Sequence, residues 1–214
     1  MFLRFFLFLQ LLAFSSHAQV DSTFIEIHYS DEDLRIINEL NGVHFVKLIC
    51  TDTNMHGSVF RISADEYTKG VKKKGNLWPK CGIQKIYMSK DSLYYQPMDF
   101  CSRATFNSPD SSYKIVIAGK AEQDSVQLYV QNYGIIVQQM ILGGDYFDLR
   151  ALDCSTDNKI KIHKGELTPV LAYTPFSNKA GSVGSFCILG LQNVDKWYEA
   201  FDIEHYYVFN LLIE

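Results

Sequence analysis

Two stretches of this chain decide its fold class: residues 85–96, KIYMSKDSLYYQ, and residues 114–131, KIVIAGKAEQDSVQLYVQ. Each stretch consists of an apolar run, a short polar turn and a second apolar run, and Asp-Ser opens the second run in both. Runs of β-branched and aromatic residues bounded by polar turn residues are typical of β-hairpins. Both stretches therefore predict pairs of antiparallel strands. Their likeness reflects the composition that hairpins share and is too short to indicate an internal repeat.

The same pattern recurs along most of the chain. STFIEIHY (22–29), VHFVKLICT (43–51) and GSVFRIS (57–63) each predict a strand near the N-terminus. Turn residues separate the later strands at roughly ten-residue spacing, which predicts a mainly β fold: an antiparallel meander, a sandwich or an open barrel, with one or two short helices (β-rich α+β). The later strands are predicted at Ile83–Ser89, Leu93–Met98, Tyr113–Ala118, Ser125–Gln131, Ile135–Leu142, Lys159–His163 and Ser185–Leu191.

One helix is predicted over residues 30–41, SDEDLRIINELN. Its first residue is a serine that can cap the helix, and acidic residues fill the first turn. Leu34, Ile37 and Leu40 share one face, and Gly42 ends the helix.

Two further segments carry helical signals. Residues 63–70, SADEYTKG, have a Ser-x-x-Glu box and a closing glycine, which predict one or two helical turns. Near the C-terminus, Val194, Trp197 and Phe201 fit one helical face, whereas residues 205–213, HYYVFNLLI, have the composition of a strand. A short helix followed by a terminal strand is the favoured prediction, and one long helix is the alternative.

The N-terminus, MFLRFFLFLQLLAFSSHAQ, has the features of a secretory signal peptide. Arg4 precedes an apolar run, and Ser16 and Ala18 place small residues at the two positions that a signal peptidase reads. We therefore expect cleavage after Ala18. Residues 19–214 are then predicted to form a single β-rich domain, with a possible subdivision near 70–82.

The short Phe/Leu-rich leader, the SSHAQ residues around the predicted cut and the β-rich chain that follows resemble exported proteins of Bacteroidetes, many of which belong to families of unknown function. The resemblance implies a periplasmic or extracellular location. The resemblance rests on the leader and on the β-rich character of the chain, and it implies no site residue.

Charge and hydropathy narrow the range of partners. The chain carries a formal net charge of -4, and its only dense basic stretch, Lys72–Lys74, is expected to be a solvated loop. Nucleic acid is not an expected partner, because phosphate binding requires a basic face. No segment after the leader approaches the run of about 20 apolar residues that a spanning helix needs.

The five cysteines are an odd number, so at least one thiol stays outside any disulfide. Cys50 and Cys187 lie in apolar, strand-like runs and are expected to be buried. A disulfide, if one forms, is expected among Cys81, Cys101 and Cys154, which lie in turn-rich segments.

Motifs of catalysis are absent from the sequence. There is no Gly-x-Ser-x-Gly elbow and no metal-ligand spacing among the histidines, and no cofactor is expected. Glu26 and His28 share one face of a strand and are better explained as a local polar pair than as cation ligands. The acidic residues that follow the strand at 135–142 are explained most simply as solvated turn residues; they are Asp145, Asp148, Asp153 and Asp157.

Aromatic residues supply the candidate binding site. Trp78 lies in a loop before a proline, Tyr94 and Tyr95 are adjacent in a predicted strand, and Tyr133 with Tyr129 ends the second hairpin. Such side chains stack sugars or line apolar pockets on β-scaffolds. The sequence therefore favours a non-catalytic module that binds a partner or a ligand, such as a carbohydrate or an apolar small molecule. A lipocalin-like barrel and a hydrolase without a recognisable motif are the alternatives.

Overall fold

A computed structural model describes residues 21–29, 32–73, 83–89, 92–97, 103–107, 111–122, 124–132, 135–142, 147–152, 157–175 and 193–214. The helices are α1 Glu32–Leu40 and α2 Trp197–Phe201, with 3₁₀ turns at Thr53–Met55 and Val194–Lys196. The strands are β1 Ser22–Tyr29, β2 Val43–Cys50, β3 Val59–Thr68, β4 Val71–Lys72, β5 Ile83–Ser89, β6 Ser92–Pro97, β7 Arg103–Thr105, β8 Tyr113–Glu122, β9 Ser125–Asn132, β10 Ile135–Leu142, β11 Phe147–Ala151, β12 Lys159–His163, β13 Thr168–Pro175 and β14 His205–Ile213.

The strands form two large antiparallel sheets and one hairpin. The first sheet has the order β10-β9-β8-β2-β1-β12, and the second has the order β11-β13-β14-β3-β4, with β7 paired to one end of β3. Strands β5 and β6 pair only with each other among the described strands. The predicted mainly β fold with short helices is therefore confirmed.

One hydrophobic core joins the two large sheets. Ile25, Val46 and Leu128 from the first sheet belong to the same buried cluster as Ile62 and Phe209 from the second. Side chains alternate between the two faces of a strand, so each sheet directs every second residue into this core. The arrangement is that of a β-sandwich.

Large rings fill the end of the core at which β3 and β8 begin. The Phe60 and Tyr113 rings stack with centroids 4.2 Å apart, and Phe106 packs edge-on against both rings. The Tyr113 hydroxyl donates a hydrogen bond to Asn132, whose amide donates in turn to the Phe60 carbonyl. This end of the interior is packed with side chains and tied across the two sheets by polar contacts.

The outer side of the second sheet is covered by the C-terminal helical segment. Trp197 of α2 packs beside Tyr206 with ring centroids 4.9 Å apart, and Tyr206 stacks on Tyr67 at 5.0 Å. Gly70, in the turn between β3 and β4, permits this close packing. Its φ is +76°, and a Cβ added there would lie 2.6 Å from the carbonyl oxygen of Asp195. The part of the second sheet around Tyr67, Tyr206 and Val208 is thus buried on both sides.

Helix α1 forms within the predicted range, but its apolar side chains lie in solvent. Leu34, Ile36 and Ile37 are each about half exposed, and Leu40 is 82% exposed. An apolar stripe of this kind usually packs against a core. Within the described part of the chain, nothing covers these four side chains.

The helical prediction for residues 63–70 is wrong. Residues 63–68 belong to β3, which pairs with β14 along its whole length. The Ser-x-x-Glu signal is local, whereas pairing with β14 buries Ala64, Asp65, Glu66 and Tyr67. Tertiary burial therefore outweighs the capping propensity at this segment.

Two further predictions on the described residues are confirmed. The C-terminus is a short helix followed by a strand, and Cys50 is a buried free thiol whose pKa is raised by burial. Four strands were missed: the short strands β4 and β7, the edge strand β11, and β13, whose buried residues 170–174 show no alternation. Cys81, Cys101, Cys154, Cys187 and the strand predicted at Ser185–Leu191 lie outside the described residues. No helix in the described ranges has the length and apolar character needed to cross a membrane.

Candidate functional site

Among the described residues, no element packs on the outward side of the first sheet, whereas α2 packs on the outward side of the second. We call the outward residues of β1, β2, β8, β9 and β12 the open face. None of the described side chains on the open face is buried, whereas the inward neighbours Ile25, Val46, Ile117 and Leu128 are almost fully buried. Alternation along each strand explains the contrast, because every second residue faces the core and the rest face outward.

A row of aromatic and small side chains crosses the middle of the open face. Phe45 of β2 lies opposite Ala118 of β8, which lies opposite Tyr129 of β9. Residues directly opposite in antiparallel strands share a face, and two strand spacings separate the outer positions by about 9–10 Å. The row is therefore a shallow trough, with an alanine as its floor and a ring at each end.

Basic and amide side chains flank this aromatic row. Lys47, two residues along from Phe45, holds its ammonium nitrogen 5.5 Å from the centroid of the Phe45 ring. On the other side of the row, Lys120 lies opposite Gln127. The trough thus combines ring faces for stacking with cationic and amide groups for polar contacts.

The open face is basic although the chain is acidic. Five lysines lie on its strands, and four of them form no ion pair with any described residue: Lys47, Lys114, Lys120 and Lys161. Besides Glu122 at the end of β8, Glu26 is the only carboxylate on these strands. Acidic residues are instead exposed on the segment that covers the second sheet, namely Asp195, Glu199, Asp202 and Glu204.

The Glu26 carboxylate already contacts two basic side chains. Lys159 lies 3.1 Å from its carboxylate and His28 lies 3.3 Å away. The hydrogen bond from Lys159, followed by that from His28, lowers the pKa of the Glu26 carboxyl. The interpretation of Glu26 and His28 as a local polar pair agrees with this geometry, and no cluster of three metal-ligating side chains occurs among the described residues.

A first histidine–carboxylate pair joins the two sheets at the end of the sandwich where β2 begins. His44 Nδ1 of β2 lies 2.9 Å from Asp148 Oδ1 of β11, and Arg150 Nε donates to Asp148 Oδ2 at 2.6 Å. The Leu149 amide also donates to Asp148 at 2.8 Å. Burial by itself raises the pKa of Asp148, but the contacts with His44 and Arg150 outweigh it and hold that pKa below its usual value.

A second pair lies at the same end, on the inner side of the second sheet. His205 Nε2 of β14 is 2.9 Å from Glu66 Oε1 of β3, and the Lys73 ammonium donates to the same oxygen. Burial raises the pKa of Glu66, but the hydrogen bonds with Lys73 and His205 outweigh it and lower that pKa overall. The Phe147 ring packs against His205 at 6.2 Å.

These pairs correct two interpretations made from the sequence. Asp148 is not a solvated turn residue, since it lies in β11 and is buried. Lys72 and Lys73 are not simply a solvated loop, because Lys72 donates to the buried Asp65 at 2.6 Å and Lys73 donates to Glu66. The sequence could not show this, because the partners lie on strands whose pairing was not known.

The two pairs tie strands together through hydrogen-bonded carboxylates. A histidine that is hydrogen-bonded to a carboxylate acts as a catalytic base when its other ring nitrogen reaches a proton on a nucleophile, a water or a substrate. In the part of the chain that the structure describes, neither His44 nor His205 makes a second hydrogen bond. Their carboxylates are instead neutralised by Arg150 and Lys73.

The Glu66 cluster predicts a pH dependence of stability. Because the folded-state pKa of Glu66 is below its unfolded value, its stabilising effect is present above about pH 4 and is lost as the pH falls through the folded-state pKa. Glu66→Gln is therefore expected to flatten the fall in unfolding free energy between about pH 5 and pH 3. Urea titrations across this range measure the slope. Glu204→Gln is the matched control, because Glu204 is 66% exposed, and equal slopes for the two variants would contradict the prediction.

Of the four residues predicted from the sequence to bind a ligand, Tyr94 and Tyr95 lie in the β5–β6 hairpin and not on a strand of the open face. Tyr94 and Tyr95 lie opposite Ile86 and Lys85 in the separate β5–β6 hairpin, whose side chains are not described. Trp78 and Tyr133 lie outside the described residues. Their proposed role stays a prediction.

Sequence reasoning noted Tyr129 but missed its neighbours Phe45 and Ala118. The sequence did contain a signal for the outward side of β2, because Phe45 and Lys47 alternate with Val46 and Leu48. That alternation shows which side chains point outward. It does not show which strands lie side by side.

The described residues form an antiparallel β-sandwich in which α2 packs on the second sheet and no described element packs on the outward side of the first. No family model, curated protein or solved structure matches this chain.

Proposed function

We propose that this chain is an exported, non-catalytic binding module that holds a saccharide chain on its open face. The observation that carries the proposal is the row formed by Phe45, Ala118 and Tyr129, which is partly exposed in the middle of the first sheet and which no other described element covers. Partly exposed rings on a rigid sheet can stack on sugar rings, and a small residue between them leaves room for the ligand. The signal-like leader supports export.

The buried residues favour binding over catalysis. Glu66 and Asp148 are the carboxylates best placed for chemistry, and both are fully engaged by neighbouring basic groups. A hydrolase would need one of them, or a nucleophile, to be available to a substrate. The packed interior likewise supports a surface site over the cavity that a lipocalin-like barrel would need.

Affinity gel electrophoresis with xylan, laminarin, mannan and polygalacturonate tests the proposal. At least one polymer is expected to retard the mature protein. Phe45→Ala is expected to weaken that binding about fivefold, because it removes one stacking ring worth about 1 kcal/mol. Ala118→Phe is expected to abolish binding, because its ring fills the floor of the trough while both original rings remain.

Phe24→Ala is the matched control, since Phe24 is an exposed phenylalanine on β1 of the same sheet but lies away from the row, opposite Lys161. It is expected to leave affinity within about twofold of the parent value. Unfolding midpoints of all variants establish that the fold is retained. If no polymer retards the parent, or if Ala118→Phe binds as the parent does, the proposed function is wrong.

A further inference from the structure

We infer that the saccharide held on the open face is anionic, a polysaccharide carrying carboxylate or sulfate groups. The inference rests on the proposed function and adds the charge of the ligand to it. Its basis is the position of Lys47 and Lys120, which lie on opposite sides of the row formed by Phe45, Ala118 and Tyr129.

The two lysines are available to a ligand. Neither forms an ion pair with a described residue, and Lys120 is exposed. Lys47 is partly covered because its side chain lies along Phe45, which holds the ammonium group beside the ring. A sugar stacked on Phe45 would therefore carry its acidic substituent next to a positioned cation.

The wider charge distribution points the same way. Lys114 and Lys161 add positive charge to the same face, where lysines outnumber carboxylates on the strands. Exposed carboxylates lie in the turns beside this face, at Asp21, Asp124 and Asp157, and on the segment that covers the second sheet. The excess of lysine along the strands favours an anionic polymer over a neutral one.

The residue types favour a saccharide over a nucleic acid. None of the five arginines of the chain, Arg4, Arg35, Arg61, Arg103 and Arg150, lies on a strand of the open face. Arginine is the side chain best suited to bidentate recognition of phosphate. The open face instead offers lysine point charges and the amides of Gln127 and Gln131, which suit scattered acidic groups and hydroxyls.

Isothermal titration calorimetry with polygalacturonate and with the same polymer after methyl esterification tests the inference. Esterification removes the carboxylate charge and keeps the sugar backbone. The parent protein is expected to bind the acidic polymer about five- to tenfold more tightly, the range expected for two exposed charge pairs. Raising the salt concentration from about 0.05 M to about 0.5 M is expected to remove most of this preference.

The double variant Lys47→Met/Lys120→Gln is expected to bind both polymers with the same affinity, because it removes both positive charges. Methionine at position 47 keeps an apolar side chain beside the Phe45 ring. Lys161→Gln is the control, being on the same face but opposite Phe24, and it is expected to keep the preference. Dextran sulfate distinguishes the anionic group: tight, Lys47- and Lys120-dependent binding to it assigns sulfate, and binding to polygalacturonate alone assigns carboxylate.

Equal affinity for both forms of polygalacturonate, with sensitivity to Phe45→Ala, would overturn the inference and leave the proposed function standing. Failure to bind any saccharide would overturn both. Tighter binding to single-stranded DNA or to vesicles containing about 30% anionic lipid than to any saccharide would also overturn the inference, because these probes present phosphate without sugar-ring stacking of this kind.

Discussion

Replacing Trp197 with alanine is expected to lower the free energy of unfolding by about 3–5 kcal/mol. The Trp197 side chain is fully buried at 0% exposure, and it packs on Tyr206 and beside Ile203 in the cluster that covers the second sheet. Its removal leaves a cavity bounded by the sheet below and by α2 above, where the backbone cannot collapse fully. Urea unfolding followed by circular dichroism measures the change.

Two further variants make this prediction specific. Trp197→Phe keeps a ring against Tyr206 and is expected to lose less than half as much stability. Glu199→Ala, on the exposed side of the same helix, is expected to change the unfolding free energy by less than about 0.5 kcal/mol. A loss below about 1 kcal/mol for Trp197→Ala would show that α2 does not anchor the cover of the second sheet.

Replacing Asp148 with alanine is expected to cost about 3 kcal/mol, the lower end of the range for removing one partner of a buried ion pair. The Asp148 side chain is 11% exposed and accepts hydrogen bonds from Arg150 and the Leu149 amide beside its contact with His44. Without the Asp148 carboxylate, His44, Arg150 and the Leu149 amide lose their hydrogen-bond acceptor inside the protein. The cost stays at the lower end because Arg150 is one-third exposed and can recover contact with water.

A double-mutant cycle isolates the bridge between the sheets. Asp148→Ala, His44→Ala and the double variant are compared by urea unfolding at neutral pH. If His44 and Asp148 stabilise each other, the loss in the double variant should fall short of the sum of the single losses by about 1–2 kcal/mol. Strictly additive losses would mean that the 2.9 Å contact adds nothing to stability. Asp21→Ala, at an exposed position before β1, serves as the control for removal of a carboxylate.

Local patterns predicted much of the secondary structure. The bounds of Ile83–Ser89, Ile135–Leu142 and Lys159–His163 match the observed strands, because β-branched and aromatic composition and turn residues act over a few residues. The prediction failed at residues 63–70, where a local helix signal competes with a strand partner about 140 residues away in sequence. It also missed β13, whose residues 170–174 are all buried and therefore show no alternation.

The candidate site, like the fold, was predictable from the sequence only in part. The sequence by itself determines that Phe45 and Lys47 share one side of β2 and that Ala118 and Lys120 share one side of β8, because the period of two is a property of each strand. Only the tertiary structure decided that Phe45, Ala118 and Tyr129 form one row flanked by these two lysines, because the order β9-β8-β2 and its register depend on pairing between distant segments. It also decided which sheet is covered among the described residues, since α2 packs through Trp197 on the second sheet and the apolar side chains of α1 stay exposed. Backbone hydrogen bonds are alike for any pair of strands, so strand order is settled by the burial of side chains from the whole chain, which no local pattern contains.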